Sequence, residues 1–203
     1  MNNHKNLFWL CMILVFPIIG GAQINTTLTG SVKTDNGDAI AGVEVTLFDN
    51  QGNTVESYST GADGQYVFNN LTIGQEYGVI LYNSNDAPLN GVSTFDAVLC
   101  TRHILGMAPL GSPYKILAAD VNNSQTLTTF DVVSIRRLIL GITQNLDVPA
   151  WRFIPADYTF PNPLNPFQGT IPGTTTVTID GNQQPLNFIG MKSADVNNSA
   201  ITH

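Results

Sequence analysis

Six oxygen-bearing residues fall at set intervals in one short stretch of the 203-residue chain: Asp120, Asn122, Ser124, Thr126, Thr128 and Asp131. They take places one, three, five, seven, nine and twelve of a twelve-residue loop, and the helical apolar pattern Val132, Ile135, Leu138, Ile139, Ile142 follows at once. Alternating oxygens closed by an acid suit Ca2+, a hard cation that takes six to eight oxygen ligands in a flexible shell. The seventh ligand of such a loop is a backbone carbonyl, here that of Thr126. The sixth place is usually the glycine of a sharp turn. Gln125 stands there instead, and must take a left-handed backbone or a modified turn. The closing acid is Asp131 rather than the longer Glu. The alternative is a polar Asx-type turn that caps a helix, with Asp131 near the helix start.

The end of this pattern recurs 35 residues upstream. Residues 93–106 and 128–141 are identical at eight of fourteen aligned positions, which points to two copies of one loop–helix unit. The upstream loop opens poorly. Counting back from Asp96 places Asn85 first, but Ala87 third and Leu89 fifth, and neither of the last two has a side-chain oxygen. That site is free of metal, or rearranged around Asn83, Asn85 and Asp86, or completed from elsewhere. Asp195-Val196-Asn197-Asn198-Ser199 repeats Asp120-Val121-Asn122-Asn123-Ser124 letter for letter. The expectation is that this third motif folds back and brings Asp195, Asn197 and Ser199 to the incomplete first loop. A simpler account is that the chain is a fragment of a longer surface protein.

In the first copy the places of the apolar stripe hold Ala97, Cys100, His103, Ile104 and Met107. Cys100 matches Ile135 and reads as a small buried hydrophobe. His103 matches Leu138 and reads as a residue at the core boundary. Gly106 and Gly141 suit left-handed helix C-caps.

This duplicated unit resembles the type I dockerin family over residues 85–141. The resemblance implies a calcium-dependent module of two loop–helix repeats that docks onto a cohesin-like domain. Family contact places fall here on Thr94, Phe95, Thr101 and Arg102 in the first copy. In the second they fall on Thr129, Phe130, Arg136 and Arg137. Many dockerins carry a small hydroxyl residue where this chain has Phe95 and Phe130. These rings serve either core packing or partner contact, and the arginines either a docking face or a solvated one.

Lys5, the apolar run 7–19 and Gly20-Gly21-Ala22 have the form of a secretory signal peptide over residues 1–22. The run is too short for an ordinary membrane span. The expected product is secreted or displayed at the cell surface. Cys100 is then the sole cysteine, so no internal disulfide forms and calcium is the available staple. Formal charge is −7, with no basic patch for nucleic acid.

Residues 24–82 read as short strands. Leu28, Gly30 and Val32 alternate with polar neighbours, as do Val43, Val45 and Leu47; Tyr66 and Phe68 share a face, as do Tyr77, Val79 and Leu81. Turn signals at 35–38, 49–52, 62–64 and 73–74 separate them. The stretches 30–32, 39–45 and 60–71 resemble the carboxypeptidase regulatory-like, prealbumin-like sandwich. That family implies a spacer or accessory role without zinc ligands or peptidase activity.

The segment 147–203 is rich in proline and aromatics: Trp151, Phe153, Tyr158, Phe160 and Phe167. These rings either cover the helices or stack on sugars. Residues 174–179 alternate like a strand, Asp180-Gly181-Asn182 is a turn, and 187–192 could return antiparallel. The expected fold is mainly β with a small α region. It runs as a signal peptide (1–22), an antiparallel sandwich (23–83), a dockerin-like pair of calcium-loop helices (84–146) and a short β appendage with a partial third calcium-loop motif (147–203). No His-Glu-x-x-His, Gly-x-Ser-x-Gly or phosphate loop occurs, and no carboxylate pair stands out for hydrolysis. The expected function is non-catalytic: calcium-dependent docking to a cohesin-like partner, or tethering of a polysaccharide-degrading or cell-surface assembly. The alternative is a structural or carbohydrate-contacting part of a cell-surface protein, with calcium as a staple only.

Overall fold

Runs that alternate apolar and polar residues pleat so that one face can be buried, and four such runs, joined by a mostly exposed edge strand, build the first part of the molecule. A computed structural model of the chain describes residues 25–83 and 87–202. The expectations for residues 1–22 and for Asn85 and Asp86 lie outside the described residues. The strands are β1 (Asn25–Lys33), β2 (Glu44–Phe48), β3 (Thr54–Ser59), β4 (Gln65–Thr72) and β5 (Glu76–Tyr82). Their inward side chains, among them Leu28, Val32, Val45, Leu47, Tyr66, Phe68 and Val79, form one buried cluster. Each such burial contributes about 1.5–3 kcal/mol.

Three helices follow: α1 (Thr94–Ile104), α2 (Pro113–Ala119) and α3 (Thr129–Ile139). α1 and α3 pack on each other, and Ala97, Cys100, Val132, Ile135 and Leu138 form a second core with Leu117, Ala118, Val121 and Val196. Both helices begin with a reciprocal cap. The Ser93 and Thr128 hydroxyls accept from the backbone, and Asp96 and Asp131 reach back to the cap N–H. Both end where Gly106 (φ 66°) and Gly141 (φ 68°) turn left-handed. The helices therefore stop before Met107 and Ile142. The expected apolar stripe does not extend that far, and these two side chains are 69 % and 62 % exposed.

The last strands are β6 (Trp151–Pro155), β7 (Thr175–Thr178) and β8 (Phe188–Lys192). Two four-stranded sheets result, in the orders β4-β1-β8-β6 and β3-β2-β5-β7. β7 and β8 do not form the expected hairpin. β7 lies antiparallel on β5, whereas β8 sits between β1, to which it is parallel, and β6. The physical reason is that β1 and β5 each leave an edge unpaired, and filling both satisfies more buried backbone than a local hairpin does. The C-terminal segment is thus part of both sheets rather than a separate appendage.

The aromatic residues divide between the two cores. Trp151 is buried in the sandwich with Phe153 packed beside it; Phe160 is buried in the helical core, flanked by Tyr158 and Phe167. Among the described residues, no helix is long and apolar enough to cross a membrane.

Candidate metal centre

α2 stops at Ala119 and α3 starts at Thr129, and the intervening chain wraps around the Asp120 carboxylate. Asp120 Oδ1 accepts the Ser124 N–H at 2.9 Å and Oδ2 accepts the Gln125 N–H at 3.0 Å. Asp131 closes the loop from the first turn of α3. Its Oδ1 accepts the Val121 N–H at 3.1 Å, and its Oδ2 accepts the Thr128 N–H at 2.8 Å. The Ser124 hydroxyl donates to the Thr126 carbonyl at 3.0 Å. Asn123 (φ 56°) and Gln125 (φ 59°) both adopt the left-handed backbone. Gln125 takes the left-handed option read from the sequence, at roughly 1–2 kcal/mol. Asp120 and Asp131 are buried, and Asn122, Ser124, Thr126 and Thr128 stand between them in the chain.

The third motif lies against the start of α1. The Val196 N–H donates to Asp96 Oδ1 at 3.0 Å, as Val121 does to Asp131. Asp195 Oδ1 accepts the Ser199 N–H at 3.2 Å and Oδ2 accepts the Ala200 N–H at 2.7 Å, as Asp120 accepts Ser124 and Gln125. The Ser199 hydroxyl donates to the Gly91 carbonyl at 2.8 Å, as Ser124 does to Thr126. The Ser93 N–H donates to Asp96 Oδ2 at 2.8 Å, as Thr128 does to Asp131. Asn198 (φ 59°) repeats the left-handed turn of Asn123. Asp96 and Asp195 are both buried. Burial, the largest influence, raises the Asp195 carboxyl above its ordinary range; the Ala200 and Ser199 N–H groups oppose this and the nearby Asp96 charge adds to it.

Two polar atoms near these loops are sealed from solvent with no hydrogen-bond partner: Asn197 Oδ1 and Arg152 Nε. A buried polar atom left unmatched costs about 1–3 kcal/mol. Arg152 otherwise holds the end of α2, donating to the Leu117 carbonyl and, at 3.4 Å, to that of Asp120. Burial lowers its pKa, and the Asp120 charge acts in the opposite direction. Cys100 is fully buried; burial pushes its thiol up to about 12, with the Asp96 and Asp131 charges adding to the effect. Both closing acids therefore act on this one central thiol.

Among the described residues, no group of three or more His, Cys, Asp or Glu is placed to hold a metal ion. Each loop brings two carboxylates, with amide, hydroxyl and backbone oxygens around them. That donor set is hard and all-oxygen, which fits Ca2+ and is unsuited to zinc. The orphaned Asn197 oxygen fits the same group.

The residues considered for partner contact lie apart from the cores. Phe95 is 55 % exposed and Phe130 75 %, so neither ring packs inward. Thr94, Arg102, Thr129, Arg136 and Arg137 are exposed too, while Thr101 is half-buried and donates to the Ala97 carbonyl. His103 Nδ1 accepts the Leu110 N–H at 3.1 Å and has a structural role. Gly91, Ser93, Arg152 and Asp35 also enter the site and do not stand out in the sequence on their own. The first two were visible as the partners of Thr126 and Thr128 in the aligned repeat. Asp35 had no local signal: it receives Ser112 Oγ at 2.7 Å and the Asn198 side-chain amide.

Residues 27–91 match the family model of the carboxypeptidase regulatory-like domain. Among solved structures, the C-terminal fragment of the pilus adhesin SpaC from Lactobacillus rhamnosus GG is similar at 22 % identity, with a TM-score of 0.26. The match covers 32 % of this chain and 28 % of that one, so this chain spans under a third of the adhesin fragment. No curated protein matches the chain.

Proposed function

We propose that the chain is a non-catalytic module of a secreted or cell-surface protein, in which calcium staples a dockerin-like loop–helix pair to a carboxypeptidase regulatory-like sandwich. The observation that supports this best is the 120–131 loop. Two buried carboxylates close its ends, and Asn122, Ser124, the Thr126 carbonyl and Thr128 lie between. When bound, Ca2+ supplies the positive charge that offsets Asp120 and Asp131. The residues themselves hold the loop ends together and set the start of α3. The buried aromatic residues Trp151 and Phe160 offer no stacking face to sugars.

A second reading, docking onto a cohesin-like domain, is favoured by the exposed Phe95 and Phe130 at matched places on α1 and α3. It requires calcium as well, because the loops set where both helices begin.

Calorimetric titration tests the staple. Calcium is expected to bind with a dissociation constant of about 10⁻³ M or tighter, with magnesium far weaker because it demands octahedral geometry. Asp120→Ala should abolish binding at the 120–131 loop. Absence of calcium-dependent heat in the unmodified chain would remove this reading.

A further inference from the structure

We propose that a second calcium ion is held in a site split across the chain, with Asp195, Asn197 and Ser199 supplying its first half and the Gly91 carbonyl, Ser93 and Asp96 its second. This rests on the calcium reading of the 120–131 loop. The upstream loop has Asn85 at its first place but lacks side-chain oxygens at its third and fifth, Ala87 and Leu89, and resumes the pattern of the intact loop from its seventh. There Gly91, Ser93 and Asp96 correspond to Thr126, Thr128 and Asp131. The third motif contributes the missing places: Asp195, Asn197 and Ser199 correspond to Asp120, Asn122 and Ser124. The two pieces, about 100 residues apart in sequence, meet through the Val196–Asp96 and Ser199–Gly91 hydrogen bonds.

An independent observation points to a ligand here. Asn197 stands at the third loop place, and its Oδ1 is sealed from solvent and accepts no hydrogen bond. An unpaired buried amide oxygen calls for a ligand, and a cation bound here would take its lone pair. Two buried carboxylates adjoin this motif: Asp195, whose Oδ1 accepts the Asn197 N–H at 3.2 Å, and Asp96, whose Oδ1 accepts the neighbouring Val196 N–H. The contact is also close. A Cβ on Gly91 would approach Asp195 Oδ2 and the Ala200 Cα to 2.6 Å, so only glycine lets the two halves meet.

The consequence is a calcium-dependent clasp. The ion fastens residues 195–200 to α1, and the following residues continue to the sandwich, where the Ala41 N–H donates to the Thr202 carbonyl at 2.7 Å. Asn198 reaches Asp35 on the same side. One metal thereby ties the chain's last described residues, the helical core and the sandwich together.

Calcium stoichiometry, read by calorimetry on the full chain, tests the split site. The unmodified protein should bind two ions, Asp120→Ala one, and Asp195→Ala one. Asn197→Ala is the cleaner variant, because the lost oxygen makes no hydrogen bond. It should weaken one of the two ions about tenfold or more while leaving the melting temperature in EDTA unchanged or higher. In the unmodified chain, amide exchange over 196–202 should slow when calcium is added. One ion in the unmodified chain, lost in Asp120→Ala and unaffected by Asp195→Ala and Asn197→Ala, overturns the split site and leaves the first loop's assignment standing. No ion at all overturns both. A fall in EDTA melting temperature for Asn197→Ala with two ions still bound at full affinity also overturns the split site, since it makes Asn197 structural only.

Discussion

Asp131→Ala is expected to cost about 3 kcal/mol without calcium and about 7 kcal/mol in saturating calcium. Two causes act in the absence of metal. The Val121 N–H, buried and donating to Asp131 Oδ1, loses its acceptor, and the cap that starts α3 loses its return contact from Oδ2 to Thr128. An orphaned buried donor accounts for about 1–3 kcal/mol and the cap for about 1. The further difference in calcium is the binding free energy, about 4 kcal/mol at a thousandfold excess over the dissociation constant. Asp131→Asn separates these causes. An amide fills the same space and accepts at one oxygen, so the loss in EDTA should be smaller than for alanine, yet calcium binding at this loop should still fail for want of charge. Thermal melts of both variants with and without calcium check this. Equal shifts in the two conditions would show that Asp131 acts only as a cap.

Gly30→Ala should be at least as damaging as Asp131→Ala is without calcium, for a reason unrelated to metal. Gly30 pairs across the sheet with Tyr66, whose ring lies over it and whose hydroxyl donates to the Leu186 carbonyl. An added Cβ would overlap both the Leu186 carbonyl oxygen and the Tyr66 ring. Neither can yield cheaply. Tyr66 is buried, and Leu186 leads into β8 through its N–H bond to the Thr29 carbonyl at 2.9 Å. The expected loss exceeds about 3 kcal/mol, with exchange protection falling first in β8 and β6. Gly173→Ala is the control: an added Cβ meets nothing within 4 Å, and the variant should stay within about 0.5 kcal/mol. If both variants melted alike, the close approach of β1, Tyr66 and Leu186 would be wrong.

What the sequence shows depends on how local the determining contacts are. Strands β1, β2, β4 and β5 were legible because each alternates over its own length and is bounded by turn residues; β3 was not, because its side chains are mostly exposed and set no alternating pattern. The conformation of the 120–131 loop was legible in part because its residues lie in one contiguous stretch: the sequence left Gln125 a left-handed backbone or a modified turn, and it takes the first. The repeat of Asp195 to Ser199 drew attention to the C-terminal segment. The roles of Gly91 and Ser93 were obscured because they enter as later places of a loop whose opening lies elsewhere in the chain. β7 and β8 were misread because Asp180-Gly181-Asn182 is a valid local turn. The decision lay with the open edges of β1 and β5, which no short window contains. Met107 and Ile142 kept the apolar spacing but fell beyond Gly106 and Gly141, where the backbone turns left-handed and the helical face ends.

If calcium, rather than apolar burial alone, holds the loop–helix pair together, removing the ion should loosen it. Far-ultraviolet circular dichroism and thermal melting of the same protein, first in millimolar calcium and then in excess EDTA, address this most directly. A calcium staple entails a weaker helical signal in EDTA, with the helix pair still folded, and a melting temperature lower by more than about 10 °C, fully restored by added calcium. Superimposable spectra and melts in the two solutions would contradict it.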